Sequence, residues 1–176
     1  KEVSPKTLVI VGGPHATVDP RGTAALPGVD AVHRGEGELS FPALVASGYD
    51  YRNVPGFSYL EEGEFIDNGC APVPEDLDAI PYPAWDLLPM DRYLGLWYQL
   101  DAVAYGLRGT SVIASRGCPY NCSYCQPTLR KIFGAKVRRR SVENVLGELM
   151  ELKARYKLDG VMWLDDTFLL DRRWVM

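Results

Sequence analysis

Short apolar runs closed by glycine or proline recur along the first fifty residues. Thr7–Val11 reads TLVIV and ends at Gly12-Gly13-Pro14, and Val29–His33 is followed by a second glycine-containing loop. Such runs are typical of strands buried on both faces. The segments Asp19–Leu26 and Glu38–Ala46, one after each strand, have helical composition or spacing. This alternation predicts an α/β fold with a parallel sheet.

The chain changes character twice between residues 51 and 90. Residues 56–68 place two short apolar runs around Glu61-Glu62-Gly63, which predicts a hairpin at the edge of the sheet. Proline cannot sustain a helix or a central strand, so a linker is predicted where five prolines follow: Pro72, Pro74, Pro81, Pro83 and Pro89. We expect Trp85, Leu87 and Leu88 to pin this linker to a domain surface.

The last third of the chain predicts one complete βαβ unit. Thr110–Ala114 is a short buried-strand pattern, and Val161–Leu164 is the next one. Between them Ser141 is a predicted N-cap of a helix over Val142–Tyr156, whose apolar residues recur at steps of three and four. Asp171–Met176 would begin a further helix.

Composition and charge divide the chain into two folded units. The 176 residues are 47% hydrophobic and 24% charged, as in globular proteins. The net charge of −4 hides an asymmetry: residues 1–107 carry 6 Lys+Arg against 16 Asp+Glu (net −10), and residues 108–176 carry 13 against 7 (net +6). We divide the chain into 1–70, a linker over 71–107, and 108–176. Without a visible leader or an apolar run of about 18 residues, a cytoplasmic protein is expected.

Three of the four cysteines lie within eight residues. Cys118, Cys122 and Cys125 are spaced C-x3-C-x2-C on a loop that leaves a predicted strand. A disulfide would leave one thiol unpaired, and a structural zinc site usually takes four ligands from two separated pairs. Three thiolates from one loop suit a 4Fe-4S cluster with one open iron. A zinc site or unligated thiols remain the alternatives.

The cysteine loop resembles the signature of the radical S-adenosylmethionine enzymes, C-x3-C-x-aromatic-C, with Tyr124 as the aromatic residue. The resemblance implies a partial (βα)6 TIM-type barrel that begins at the βαβ unit. It also implies that the open iron binds S-adenosylmethionine, which is cleaved to methionine and a 5′-deoxyadenosyl radical, and that Tyr124 lies against the adenine. Asp165, Asp166 and Thr167 take the place of the family's amino-binding motif. An ordinary turn at the strand end is the other interpretation.

The N-terminal unit extends the resemblance to the cobalamin-binding members of that family. Gly12-Gly13-Pro14 and Gly35-Glu36, each after a strand, are similar to the C-terminal half of a doubly wound, Rossmann-like cobalamin domain. The resemblance implies that these residues line the cobalamin cleft, where glycine permits close approach of the backbone. Taken alone, the glycine pair also fits a plain strand-to-helix turn.

These features predict a fragment of a cobalamin-dependent radical S-adenosylmethionine enzyme that transfers a methyl group, closes a ring or performs related chemistry. We expect a small-molecule or lipid-like substrate, a reductant such as ferredoxin or flavodoxin, and no turnover by the isolated chain. The basic segment from Arg130 to Arg140 is interpreted as a solvated loop or a surface for anions, and nucleic-acid binding is less favoured. The rival interpretation is a metal-binding structural or interaction module.

Overall fold

The computed structural model describes residues 4–96, 107–125 and 128–176. The predicted linker over 71–107 therefore lies partly outside the described residues, as do the first three residues of the predicted 1–70 domain. The chain forms two compact units, one within residues 1–75 and 117–136 and the other within 76–116 and 137–176. None of the helices in the described ranges is long and apolar enough to span a membrane.

The first unit contains a four-stranded mixed sheet. β1 (Ile10–Val11) and β2 (Ala31–His33) pair in parallel, and the hairpin of β3 (Phe57–Glu61) and β4 (Glu64–Asp67) adds antiparallel strands beside β2. The predicted parallel pair and the edge hairpin are thus confirmed. This unit has four helices: α1 (Pro14–Val18), α2 (Pro20–Ala24), α3 (Ser40–Ala46) and α5 (Thr128–Phe133).

The helix predicted over Asp19–Leu26 is confirmed as α2, and the crossover between β1 and β2 contains a further short helix, α1, that was not predicted. Two short helices meet at Asp19, whose side chain accepts a hydrogen bond from the Gly22 amide and caps α2. Pro20 occupies the first helical position, where the missing N–H costs nothing. Pro20 therefore marks the start of the predicted helix, and only α1 was missed.

The core of the first unit lies against the sheet. Phe57 and Leu44 are buried among the Ala31, Val54 and Tyr59 side chains. Each such burial stabilises the fold by about 1.5–3 kcal/mol. The helix predicted over Glu38–Ala46 is confirmed as α3; of its apolar side chains Leu44 is buried, whereas Phe41 and Val45 are exposed, as is Leu39 just before the helix.

The second unit is built on a parallel strand pair with one connecting helix. β5 (Gly109–Val112) pairs with β8 (Gly160–Trp163), and α6 (Val142–Tyr156) lies between them in sequence. These elements confirm the predicted βαβ unit, including Ser141, whose side chain accepts from the Asn144 amide as an N-cap. The unit also contains α4 (Met90–Leu96), α7 (Arg172–Val175) and the antiparallel pair of β6 (Ser115–Arg116) and β7 (Arg138–Arg139).

Residues of the proline-rich segment belong to the core of the second unit. Met90 and Leu94 of α4 are buried with Val112 and Leu152. Trp85 packs against the same cluster and donates its Nε1–H to Glu148 on α6 at 3.1 Å.

The prediction that Trp85, Leu87 and Leu88 all pin the segment is right only for Trp85. Leu87 and Leu88 are 80% and 47% exposed. Tyr82 supplies a further attachment, because its hydroxyl donates to the Asn144 carbonyl at 2.8 Å. Gly147 leaves room for that hydroxyl, which a Cβ at this position would strike.

The basic segment is solvent-exposed only in part: Arg130, Lys131 and Lys136 are exposed, whereas Arg138 is buried and Arg139 and Arg140 are half-buried. Arg138 lies on β7 and is 4% exposed, and Arg140 forms an ion pair with Glu148 in which the side chains are 12% and 3% exposed. The prediction of a solvated loop failed for these arginines because their hydrogen-bond and ion-pair partners are remote in sequence and cannot be recognised from the run of like charges. Lys136 does follow the expectation: it is exposed and pairs with Glu75 at 2.9 Å.

Candidate functional site

The predicted cluster ligands lie on the loop that follows β6. All four cysteines of the chain are described and are free thiols; Cys122 and Cys125 are exposed and Cys118 is half-buried. The Cys125 amide donates to the Cys122 carbonyl at 3.2 Å, which makes a tight turn. Within the ranges 4–96, 107–125 and 128–176, no three His, Cys, Asp or Glu side chains are gathered as a metal site. The three thiols of the loop nevertheless fit a cluster as a donor set.

Tyr124 stands between the last two cysteines and is 90% exposed. A hydrogen bond with the Cys122 side chain, followed by the negative charge that the Cys122 sulfur carries as a thiolate, raises the pKa of the Tyr124 hydroxyl. Because the ring is exposed, it lies outside the core. Because its pKa is raised, the hydroxyl stays protonated near neutral pH. This placement leaves a flat aromatic surface open beside the thiols.

Gly117 fixes the entry to the cysteine loop. Its φ of +96° lies in the region that favours glycine. A Cβ there would lie 2.5 Å from the Lys136 carbonyl oxygen, where the chain returns from the loop. Residue 117 must therefore be glycine for both ends of the loop to approach each other.

We expect Gly117→Ala to lower the free energy of unfolding by about 1–3 kcal/mol, because it combines backbone strain with a collision against a fixed carbonyl. Gly134→Ala is the matched control, since Gly134 also has positive φ (+77°) but no atom within 4 Å of its Cβ position. Urea unfolding of both variants checks this. Equal losses would show that the close approach to Lys136 is unimportant.

The three residues predicted to replace the amino-binding motif follow β8 in the second unit. Asp165 is half-buried: its Oδ2 accepts from the Ala114 amide at 3.1 Å, and its Oδ1 accepts from the Ser115 hydroxyl at 2.5 Å. Asp166 is exposed, and Thr167 is half-buried. The strand end thus presents three polar residues with different surroundings.

The predicted cobalamin residues lie where β1 and β2 end. Because these strands are parallel, Gly13 and Gly35 come to the same edge of the sheet. Thr17 joins the two loops: its hydroxyl donates to the Gly13 carbonyl at 2.9 Å and accepts from the Gly35 amide at 3.2 Å. Pro14 begins α1, and Glu36 is 4% exposed.

His33 occupies the end of β2, next to this edge. It is 3% exposed, its Nε2 lies 2.6 Å from the Ser40 hydroxyl, and its ring packs between Phe41 and Phe57. Burial lowers the pKa of His33 below its ordinary value of 6.5, and the nearby Glu38 carboxylate offsets part of that effect. The folded unit therefore favours the neutral imidazole.

This lowered pKa predicts a pH-dependent stability. The unfolded chain binds the His33 proton more readily, so the free energy of unfolding should fall as the pH decreases below 6.5, until the folded His33 is itself protonated. Urea unfolding between pH 7.5 and pH 5.5 measures this slope. His33→Gln is expected to flatten it and His15→Gln to retain it. A slope unchanged by His33→Gln would contradict the prediction.

Sequence reasoning missed several residues that shape these sites. Thr17 and Ser115 bond to predicted site residues, and Arg140 forms an ion pair with the buried Glu148. Of these residues, only Thr17 could have been recognised from the local sequence, because it carries a hydroxyl one turn after the start of α1. The other contacts join residues far apart in sequence.

Family models match both ends of the chain. The B12 binding domain matches residues 1–45, and the Radical SAM superfamily matches residues 112–176. These two matches fall on the segments that carry the glycine loops and the cysteine loop.

Individual proteins match nearly the whole chain. An uncharacterized methyltransferase of Pyrococcus horikoshii is 40% identical over 98% of this chain and 36% of its own length. The anaerobic magnesium-protoporphyrin IX monomethyl ester cyclase of Cereibacter sphaeroides is 28% identical over 98% of this chain and 28% of its own length. The chain thus spans about a third of the curated relatives it matches.

A solved structure has the same fold. The cobalamin-dependent S-adenosylmethionine radical enzyme OxsB, with aqua-cobalamin and S-adenosylmethionine bound, superposes with a TM-score of 0.67. The match covers 90% of this chain and 21% of OxsB at 20% identity. The likeness establishes the fold.

Proposed function

We propose, from the premise that this chain belongs to the cobalamin-binding radical S-adenosylmethionine enzymes, that it holds a 4Fe-4S cluster through Cys118, Cys122 and Cys125. The observation that carries the proposal is the set of three free thiols on one loop, without a fourth cysteine beside them. Three ligands for four irons leave one iron open, as radical chemistry requires.

The related proteins are methyltransferases and cyclases. The cofactors of the family are cobalamin, S-adenosylmethionine and the 4Fe-4S cluster. We propose the same class of reaction for the whole protein. When bound, the cluster supplies the electron that cleaves S-adenosylmethionine. The residues of this chain bind the cofactors and orient them.

Several side chains support specific roles. The Tyr124 ring is exposed and would be free to stack on the adenine. Asp166, at the carboxyl end of a barrel-type strand, has the charge to hold an ammonium group, with Thr167 beside it. Gly12, Gly13, Pro14, Gly35 and Glu36 would line the cobalamin cleft, where Thr17 fixes the spacing of the two loops.

We extend the proposal to the substrate, the reductant and the cellular location of the whole protein. The substrate is a small or lipid-like molecule, and the electron comes from a reductant such as ferredoxin or flavodoxin. A cytoplasmic location fits four cysteines that are all free, because reducing compartments keep thiols unpaired. The partial (βα)6 barrel would continue from α7.

Anaerobic reconstitution with iron and sulfide tests the proposal. We expect about four irons per chain and a reduced-cluster EPR signal that changes when S-adenosylmethionine is added. A signal insensitive to S-adenosylmethionine would indicate a closed cluster. Stoichiometric zinc without a cluster would support the structural-module alternative, which the same cysteines also allow.

A further inference from the structure

The strand pairing of the chain changes immediately before the cysteine loop. β5 ends its parallel pairing at Val112, and Ser115 begins an antiparallel pairing with β7. Ile113 and Ala114 lie between the two pairings, and Ala114 is fully buried. The backbone groups of Ala114 need other partners, because a buried amide or carbonyl left unpaired costs about 1–3 kcal/mol.

Two residues provide those partners. The Arg140 amide donates to the Ala114 carbonyl at 2.9 Å, and its Nη1 donates to the Ile113 carbonyl at 3.0 Å. Asp165 accepts from the Ala114 amide and from the Ser115 hydroxyl. The turn from one pairing to the other is thus held from both sides.

The position of Asp165 follows from the ladder. The Leu164 amide donates to the Val112 carbonyl at 3.0 Å, so the next residue along the chain faces the point where the neighbouring strand departs. A carboxylate there accepts from two donors with charge-assisted strength. Both oxygens of Asp165 are used in this way.

We infer that Asp165 is a positioning residue: it fixes the path by which Ser115, Arg116 and Gly117 lead into Cys118, and it does not contact S-adenosylmethionine. This inference rests on the proposed function for its effect on the cluster. Its effect on the Ala114 amide depends on the fold alone. The two parts can therefore be tested separately.

The first test uses the metal-free chain and hydrogen exchange. Asp165→Ala should speed exchange of the Ala114 amide about tenfold, as expected for one lost hydrogen bond. Asp165→Asn should preserve protection, since its carbonyl accepts from Ala114 and its NH2 can donate to the Ser115 hydroxyl. Asp159→Ala is the matched control: Asp159 accepts from the Arg108 amide at the opposite end of β5, so its loss should leave Ala114 protected.

The second test measures iron retained after reconstitution and desalting. We expect Asp165→Ala to retain less than about half of the iron bound by the unsubstituted chain, because one hydrogen bond changes an equilibrium about tenfold. Asp165→Asn and Asp159→Ala should retain nearly all of it, and Asp165→Asn should keep the EPR response to S-adenosylmethionine. Ser115→Ala removes only one of the two bonds and gives an intermediate result even where Asp165→Ala fails to fold.

Three results would overturn the inference. Full iron with no EPR response in Asp165→Asn would make Asp165 a cofactor ligand. Equal iron losses in Asp159→Ala and Asp165→Ala would reduce the effect to general instability. If the unsubstituted chain binds no cluster, the proposed function fails, and the inference is then judged by hydrogen exchange alone. In that case, an exchange rate of the Ala114 amide that is unchanged in Asp165→Ala refutes the positioning role.

Discussion

Replacing Cys122 with serine is expected to remove the cluster while leaving the fold intact. Serine is close in size to cysteine, but its hydroxyl stays un-ionised near neutral pH and offers a hard oxygen in place of a soft thiolate ligand. Cys122 is exposed, so no core packing changes. Iron should fall from about four per chain to below about one, and the EPR signal should disappear. Chemical iron analysis and circular dichroism on the same sample check both parts.

Cys70→Ser provides the control for this experiment. Cys70 is also an exposed free thiol of the first unit but lies outside the cysteine loop. We expect it to retain full iron. If Cys70→Ser lost as much iron as Cys122→Ser, the set of ligands would not be the loop alone. If Cys122→Ser instead unfolded the chain, the thiols would serve a structural site, as the rival module requires.

The sequence predicts best where local signals agree with packing. For α6 the Ser141 cap, the spacing of Val145 and Leu152, and the end at Lys157 all point to one helix, and the structure confirms it. Lys157 closes it in a left-handed conformation, with φ +54°. The β3–β4 hairpin was equally visible because its glycine-containing turn is local.

The sequence fails where short elements depend on distant partners. β6 and β7 contain two residues each, too few for a period, and they pair across the whole cysteine loop. The burial of Arg138 and Arg140 contradicts the usual surface position of arginine. The chemistry of the cysteine spacing was readable, but the geometry of a closed cluster site is absent from the described residues.

The arginine that sequence reasoning misplaced carries the second large effect. Arg140 and Glu148 form a 2.5 Å ion pair in which each side chain has further partners: Arg140 Nε donates to Asn144 Oδ1 at 2.6 Å, and Glu148 accepts from Trp85. The Arg140 guanidinium also lies 5.4 Å from the centre of the Tyr82 ring. The pair therefore joins β7, α6 and the proline-rich segment at one point.

We expect Glu148→Ala to lower the free energy of unfolding by about 3–5 kcal/mol, because it leaves the Arg140 charge buried without its counter-ion. The loss exceeds the value of an exposed pair, since Glu148 is 3% exposed. Glu151→Ala, one turn away on the exposed face of α6, should cost less than about 0.5 kcal/mol. Urea unfolding measures both.

A double substitution separates the charge from the packing. Arg140→Met with Glu148→Leu removes both charges together, so it should recover much of the stability lost in Glu148→Ala, as replacement of whole buried pairs can. Arg140 also holds the Ile113 carbonyl, so the double variant should still bind less iron than the unsubstituted chain although its stability is restored. Stability and iron that recover together would show that the pair acts on the fold alone; recovery of stability without iron would tie it to the path of the chain into Cys118.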